Sequence, residues 1–146
     1  ELTSRERLTI ISGHYEGVDA RIKDLVDQEV SIGDYVLTGG ELPAMVITDA
    51  LVRKIPGVLG NEESSSMDSF DTGLLDWDSY TRPGSFDGKE VPEVLLSGDH
   101  KKIDIWKKKS AIINTLVNRP GVLAKHRFNQ QEEEILKIIL KEAEVE

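Results

Sequence analysis

Three glycines within eight positions mark the run Ser31-Ile32-Gly33-Asp34-Tyr35-Val36-Leu37-Thr38-Gly39-Gly40 as a place where backbone can approach a small molecule closely. Loops of this kind present N–H and C=O groups that match the edge of a purine ring. The spacing is not G-x-G-x-x-G, and the lysine and Ser/Thr of a phosphate-binding loop are lacking, so neither nucleotide fingerprint applies. An ordinary strand–turn–helix junction would also use one or two of these glycines. Upstream, Gly13-His14-Tyr15-Glu16-Gly17-Val18-Asp19 places Glu16 and Asp19 directly after a β-branched run, where α/β folds put ligands. Such carboxylates can hold an ammonium group, a metal or a hydroxyl; equally, Asp19 can cap the following helix. Arg53 ends an otherwise apolar stretch and must reach solvent, a carboxylate or a ligand. Asp68, with Ser64, Ser65, Ser66 and Ser69 around it, has the chemistry of a general base, although acidic loop residues are common. His14, His100 and His126 share no metal-ligand spacing, and no metal ligand is assigned.

The elements that would position these residues follow from periodicity. Leu8-Thr9-Ile10-Ile11, stopped by Gly13, reads as a buried strand. Val18, Ile22, Leu25 and Val26 recur at helical spacing over 18–27. Residues 29–37 read as a second strand that bends at Thr38-Gly39-Gly40-Glu41. Pro43 suits a first helical turn, and Met45, Val46, Ile47, Ala50, Leu51 and Val52 give a helix so apolar that burial is expected. From Gly60 to Gly98 the periodicity disappears, as in functional loops and linkers. Helices are expected over about 99–117 and from Gln130 to Ala143, with a turn or short helix after Arg119-Pro120-Gly121. Two or three strands and one buried helix make a thin core for an α/β layer, so other strands or a partner must complete it.

Composition sets outer limits. With 146 residues, 38% hydrophobic and 31% charged, the chain can bury a core and is far from a disordered composition. Cysteine is absent, which excludes disulfides and a cysteine nucleophile and fits a reducing compartment. No apolar run approaches a membrane span, and the first residues do not form a secretion signal, so a cytoplasmic location is expected. The net charge of -9 taken alone argues against nucleic acid. Yet residues 98–128 carry Lys101, Lys102, Lys107, Lys108, Lys109, Arg119, Lys125 and Arg127 against Asp99 and Asp104, a local +6. Local field steers a phosphate backbone, so a polyanion partner stays open beside the plain alternative of a solvated basic helix.

Taken in order, Gly13 through Asp19, Ser31 through Pro43, Ile55-Pro56-Gly57-Val58-Leu59-Gly60, Asp68-Ser69-Phe70, Tyr80-Thr81-Arg82-Pro83 and Val91-Pro92-Glu93-Val94-Leu95-Leu96-Ser97-Gly98 closely resemble the bacterial tRNA (guanine-N1)-methyltransferases. These are the TrmD family of the SPOUT class, which modify the guanosine 3′ of the anticodon. The match runs over nearly the whole chain and weakens only in the last helix. It implies an α/β fold with a deep trefoil knot plus a small helical C-terminal subdomain, a homodimer, S-adenosylmethionine as methyl donor, tRNA as substrate, no membrane, and dependence on Mg2+. The implied divisions are 1–59 for the C-terminal part of the knotted domain, 60–75 for a linker and 76–146 for a tRNA-binding subdomain. The implied cofactor residues are Gly13, Ile32, Gly33, Asp34, Tyr35, Val36, Leu37, Gly39 and Gly40, with Tyr15 and Glu16 at the methionine end.

The resemblance also puts the family's proposed base on Asp68 and its active-site arginine on Arg53. Guanine N1–H is a poor nucleophile, and a carboxylate against it can take the proton while arginine steadies charge growing on O6. The family precedent places the two residues in one site shared across the dimer. Phosphate contacts are implied for Lys101, Lys102, Lys107, Lys108 and Lys109. Two departures stand out: His14 replaces a common arginine, and the family's N-terminal strands and adenine-capping loop are not in this chain. The expectation is therefore a C-terminal portion whose cofactor pocket is incomplete, either weakly active or a non-catalytic RNA-binding or dimerisation fragment.

Overall fold

The computed structural model describes residues 2–58 and 69–143, and the chain divides into two compact units, Glu1–Ser65 and Ser66–Glu146. In the first unit a 3-10 turn, Leu2–Ser4, touches helix α1, Glu41–Val52. A second 3-10 turn, Ala20–Leu25, is started by Asp19, whose side chain accepts from the Arg21 N–H. Pro43 lies in the first turn of α1, where its missing N–H breaks no helical bond.

The strand expectations fail in this unit. Residues 8–11 and 29–37 are not strands; they run as irregular chain without ladder partners, and Leu8, Ile10, Ile11 and Val30 are exposed. A strand exists only by pairing, and β-branched composition alone cannot supply the neighbour. Within this unit the apolar helix α1 leaves Leu42, Met45 and Val46 more than half exposed, a face open to the further layer or subunit that its composition calls for. None of the described residues of this unit is buried.

The second unit holds the core. Its helices are α2 (Glu93–Leu96), α3 (His100–Asn118), α4 (Pro120–Leu123) and α5 (Gln130–Ala143). A two-stranded antiparallel hairpin, β1 (Ser85–Phe86) and β2 (Lys89–Glu90), pairs Ser85 with Glu90 and Phe86 with Lys89. It interrupts the segment expected to be wholly irregular, and it is the only sheet among the described residues. Asp99 starts α3 by accepting from the N–H groups of Lys101 and Lys102. At the start of α5 the Asn129 side chain accepts from Glu132 N–H while the Glu132 carboxylate accepts from Asn129 N–H, a reciprocal cap. Ile112, Ala111, Ile135, Ile139 and Leu74 form the buried cluster between α3 and α5, backed by Leu123, Phe128 and Leu136. Among the described residues no helix is long and apolar enough to cross a membrane.

The polar residues of α3 are part of this packing. Thr115, fully buried, accepts from Leu75 N–H at 2.8 Å and donates to the Ala111 carbonyl at 2.6 Å. Ser110 Oγ accepts from Asp78 N–H at 2.9 Å. Asn114 donates to the Asp76 carbonyl and to the Asp78 carboxylate. One face of a helix thus satisfies the backbone of an extended segment, doing what a strand neighbour would otherwise do.

Candidate functional site

The two glycine-containing motifs meet in the first unit. His14 pairs with Gly39 in an isolated antiparallel bridge, and Gly40 N–H donates to the Gly13 carbonyl at 2.7 Å. The Gly13 loop turns back on itself through Gly17 N–H to His14 O, 3.0 Å, with Tyr15 at φ 53°. That left-handed conformation costs a non-glycine residue roughly 1–2 kcal/mol. His14 Nδ1 lies 3.0 Å from Glu41 Oε1, and its ring meets Tyr15 edge-on at 4.5 Å between centroids. Glu41, which opens α1, was not singled out by the sequence; its position directly after Gly39-Gly40 was the available signal.

The glycines have a physical explanation in this contact. A Cβ on Gly40 would stand 3.0 Å from Gly13 N and from Ser12 Cα, and one on Gly13 would stand 3.1 Å from the Gly17 carbonyl carbon. A Cβ on Gly39 would collide with Glu41 and His14, and one on Gly33 with the Tyr35 ring. At Gly40 a side chain would thus press on the backbone of the opposing loop, whereas at Gly39 and Gly33 it would meet side chains that can turn away. What the contact leaves over is more informative. Among the described residues, the backbone groups of Asp34, Tyr35, Val36 and Leu37 make no hydrogen bond. A four-residue edge of unused donors and acceptors lies beside the joined loops, the requirement for reading a heterocycle by backbone.

The remaining residues are placed as follows. Ile32 is half-buried at the start of this edge; Tyr15 and Val36 are 93% and 97% exposed, and Glu16 is exposed. Asp19 is committed to its turn: Arg21 pairs with it through side chain and then backbone, holding the carboxyl down at about 2. The same pair raises the Arg21 guanidinium. Arg53 follows the last residue of α1, its N–H reaching the carbonyls of Asp49 and Leu51, and its side chain is exposed. Asp68 lies outside the described residues. No group of three or more His, Cys, Asp or Glu that could hold a metal occurs among the described residues.

The basic helix is less available than its sequence suggests. Lys107 Nζ sits 4.4 Å over the Trp77 ring, Lys108 pairs with Asp104 at 2.9 Å and donates to Gln131 at 2.7 Å, and Lys109 pairs with Glu142 at 2.6 Å. Lys102 lies 3.6 Å from Asp99. Three of the five lysines of α3, Lys107, Lys108 and Lys109, thus tie it to neighbouring elements. The second unit also contains a cleft that sequence reasoning did not assemble, bounded by Trp77, Tyr80, Arg82, Leu95 and Lys107.

Comparison with known proteins gives a consistent answer. Residues 1–125 match the family model described as tRNA (Guanine-1)-methyltransferase TrmD. The chain is 58% identical over 137 residues to a tRNA (guanine-N(1)-)-methyltransferase of Staphylococcus carnosus, covering 93% of this chain and 56% of the relative. Proteins of the same name from Fervidobacterium nodosum and a Sulfurihydrogenibium species are 54% and 49% identical, over 97% and 100% of this chain and 57% and 58% of their own lengths. The chain spans 54–58% of the length of the curated relatives it matches. On residues 1–125 of its 146, the chain belongs to the tRNA (guanine-1)-methyltransferase TrmD family.

Proposed function

We propose that this chain is part of an S-adenosylmethionine-dependent methyltransferase that methylates N1 of the guanosine 3′ of the tRNA anticodon, position 37. Family membership carries the reading. The free backbone edge at Asp34–Leu37, beside the joined Gly13 and Gly39-Gly40 loops, supports the assignment of the cofactor to this place. Bound there, S-adenosylmethionine would supply an electrophilic methyl group. Gly13, Ile32, Gly33, Gly39 and Gly40 would shape the floor under the adenosine, with Tyr15 and Glu16 toward the methionine. Asp68 would take the N1 proton as the methyl arrives, and Arg53 would hold the charge gathering on O6. The protein's main work is alignment of donor, methyl and N1. The reading includes the C-terminal part of a trefoil-knotted domain over 1–59, a linker over 60–75, a mainly helical tRNA-binding part over 76–146, a homodimer and dependence on Mg2+.

A specific observation favours a second reading for the 146-residue chain by itself. No described residue of the first unit is buried, so the edge at Asp34–Leu37 has backbone groups but no enclosing wall. The isolated chain would then bind RNA or dimerise while methylating poorly. Transfer of labelled methyl from S-adenosylmethionine to a tRNA carrying guanosine at that position separates the two. A rate far below that of the Staphylococcus carnosus relative is expected for the chain alone. A comparable rate would refute the second reading, and an unchanged rate in Asp68→Ala would refute Asp68 as the base.

A further inference from the structure

The motif Tyr80-Thr81-Arg82-Pro83 has no role in the cofactor site, yet it lines the cleft of the second unit. The cleft has a volume of about 360 Å³, with Trp77, Tyr80, Arg82 and Lys107 on its walls and Val91 and Leu95 among its apolar residues. That is the small end of the range for ligand sites, about 300–1,000 Å³, with room for one base and its sugar. Lys107 covers the Trp77 ring at 4.4 Å. Tyr80 is 47% exposed, its ring 6.1 Å from Trp106 and tilted by 56°, which leaves it a ring surface for a third aromatic partner. The Asp78 carboxylate also lines the cleft and accepts from the neutral Asn114 amide, so one anion stands against the two cations and the lining keeps a charge of +1. In a chain of net charge -9, an aromatic cleft with two cations selects a ligand that is both flat and anionic.

We infer that this cleft receives one unstacked nucleotide of an RNA single strand, the base against Tyr80 and the phosphate against Arg82 and Lys107. The inference rests on the tRNA reading above and adds a second contact point on the RNA, in the helical unit. It explains why Lys107 is held on a ring instead of standing free: a cation packed on Trp77 is pre-positioned for phosphate and loses little side-chain freedom on binding.

Both tryptophans of the chain, Trp77 and Trp106, lie at or beside this cleft, so intrinsic emission reports on it directly. The 146-residue chain is titrated with a short RNA hairpin having an unpaired loop, with a blunt RNA duplex of the same length, and with guanosine 5′-monophosphate. The hairpin should quench emission and the duplex should not. Tyr80→Ala should weaken hairpin binding by about 5- to 150-fold, and Tyr80→Phe should restore it. Arg82→Gln should lower the salt slope by about 0.7. Far-ultraviolet circular dichroism checks that each variant keeps its helices. Hairpin binding without quenching, with Tyr80→Ala unchanged, overturns the cleft while leaving the tRNA reading intact. Equal quenching by the mononucleotide assigns the cleft to a free nucleotide and overturns the RNA assignment. No binding of either RNA overturns both.

Discussion

Replacing Thr115 by valine keeps the shape of the side chain and removes its hydroxyl. Thr115 is fully buried, and that hydroxyl is the acceptor for Leu75 N–H at 2.8 Å. The Ala111 carbonyl loses a second donor but remains within the helix, so the cost concentrates on the Leu75 amide. A buried donor left unpaired costs about 1–3 kcal/mol; the Leu75 amide is part-buried, and valine recovers a share by its greater apolarity, which keeps the cost in the lower half of that range. A net loss of about 1.5 kcal/mol, divided by a urea dependence of about 1.5 kcal/mol/M, lowers the unfolding midpoint by about 1 M. Tryptophan emission is a suitable probe because both tryptophans are in this unit. Hydrogen exchange at Leu75 then identifies the cause: protection should fall in Thr115→Val and persist in Thr115→Ser, which keeps the hydroxyl. A neutral or stabilising Thr115→Val, or Leu75 protection lost equally in both variants, would refute the view that this helix satisfies the extended segment.

Gly40→Ala places a methyl 3.0 Å from Gly13 N and Ser12 Cα and should part the two loops; the amide resonances of Gly13 and Gly40 report it, and unchanged shifts would contradict the contact. Asp19 should titrate near 2, well below its ordinary 3.8, and move back up in Arg21→Ala. Because its folded value is depressed, its contribution to the Ala20–Leu25 turn is complete above about 3.8 and is lost as pH falls toward about 2, which carboxylate NMR follows. Asn129→Ala should remove the reciprocal cap of α5 and cost about 1 kcal/mol in chemical denaturation, with no loss counting against that role of Asn129.

The helical half of the protein was legible from periodicity. The expected range Gln130 to Ala143 is the helix observed, and about 99–117 became His100–Asn118. A helix closes its own hydrogen bonds within a few residues, so local sequence suffices to specify it. Strands were misread for the opposite reason. Leu8-Ile11 and 29–37 have strand-like composition, but a strand needs a partner that composition does not name.

The site divides along the same line. Glycine spacing alone marked Gly33, Gly39 and Gly40 as positions where something comes close. Only the tertiary structure decided that at Gly39 and Gly40 the something is, first of all, the Gly13-His14 loop, brought close by the Gly40–Gly13 hydrogen bond across 27 positions of chain, while at Gly33 it is the Tyr35 ring. The lysine row was equally visible as charge, while its pairing with Trp77, Asp104 and Glu142 was not. What the sequence by itself determined was the family, the helices and the residues able to do chemistry. Which backbone groups are left unused, which cations are already engaged, and which aromatic rings share a cleft are matters of distance between remote segments, and only folding sets those distances.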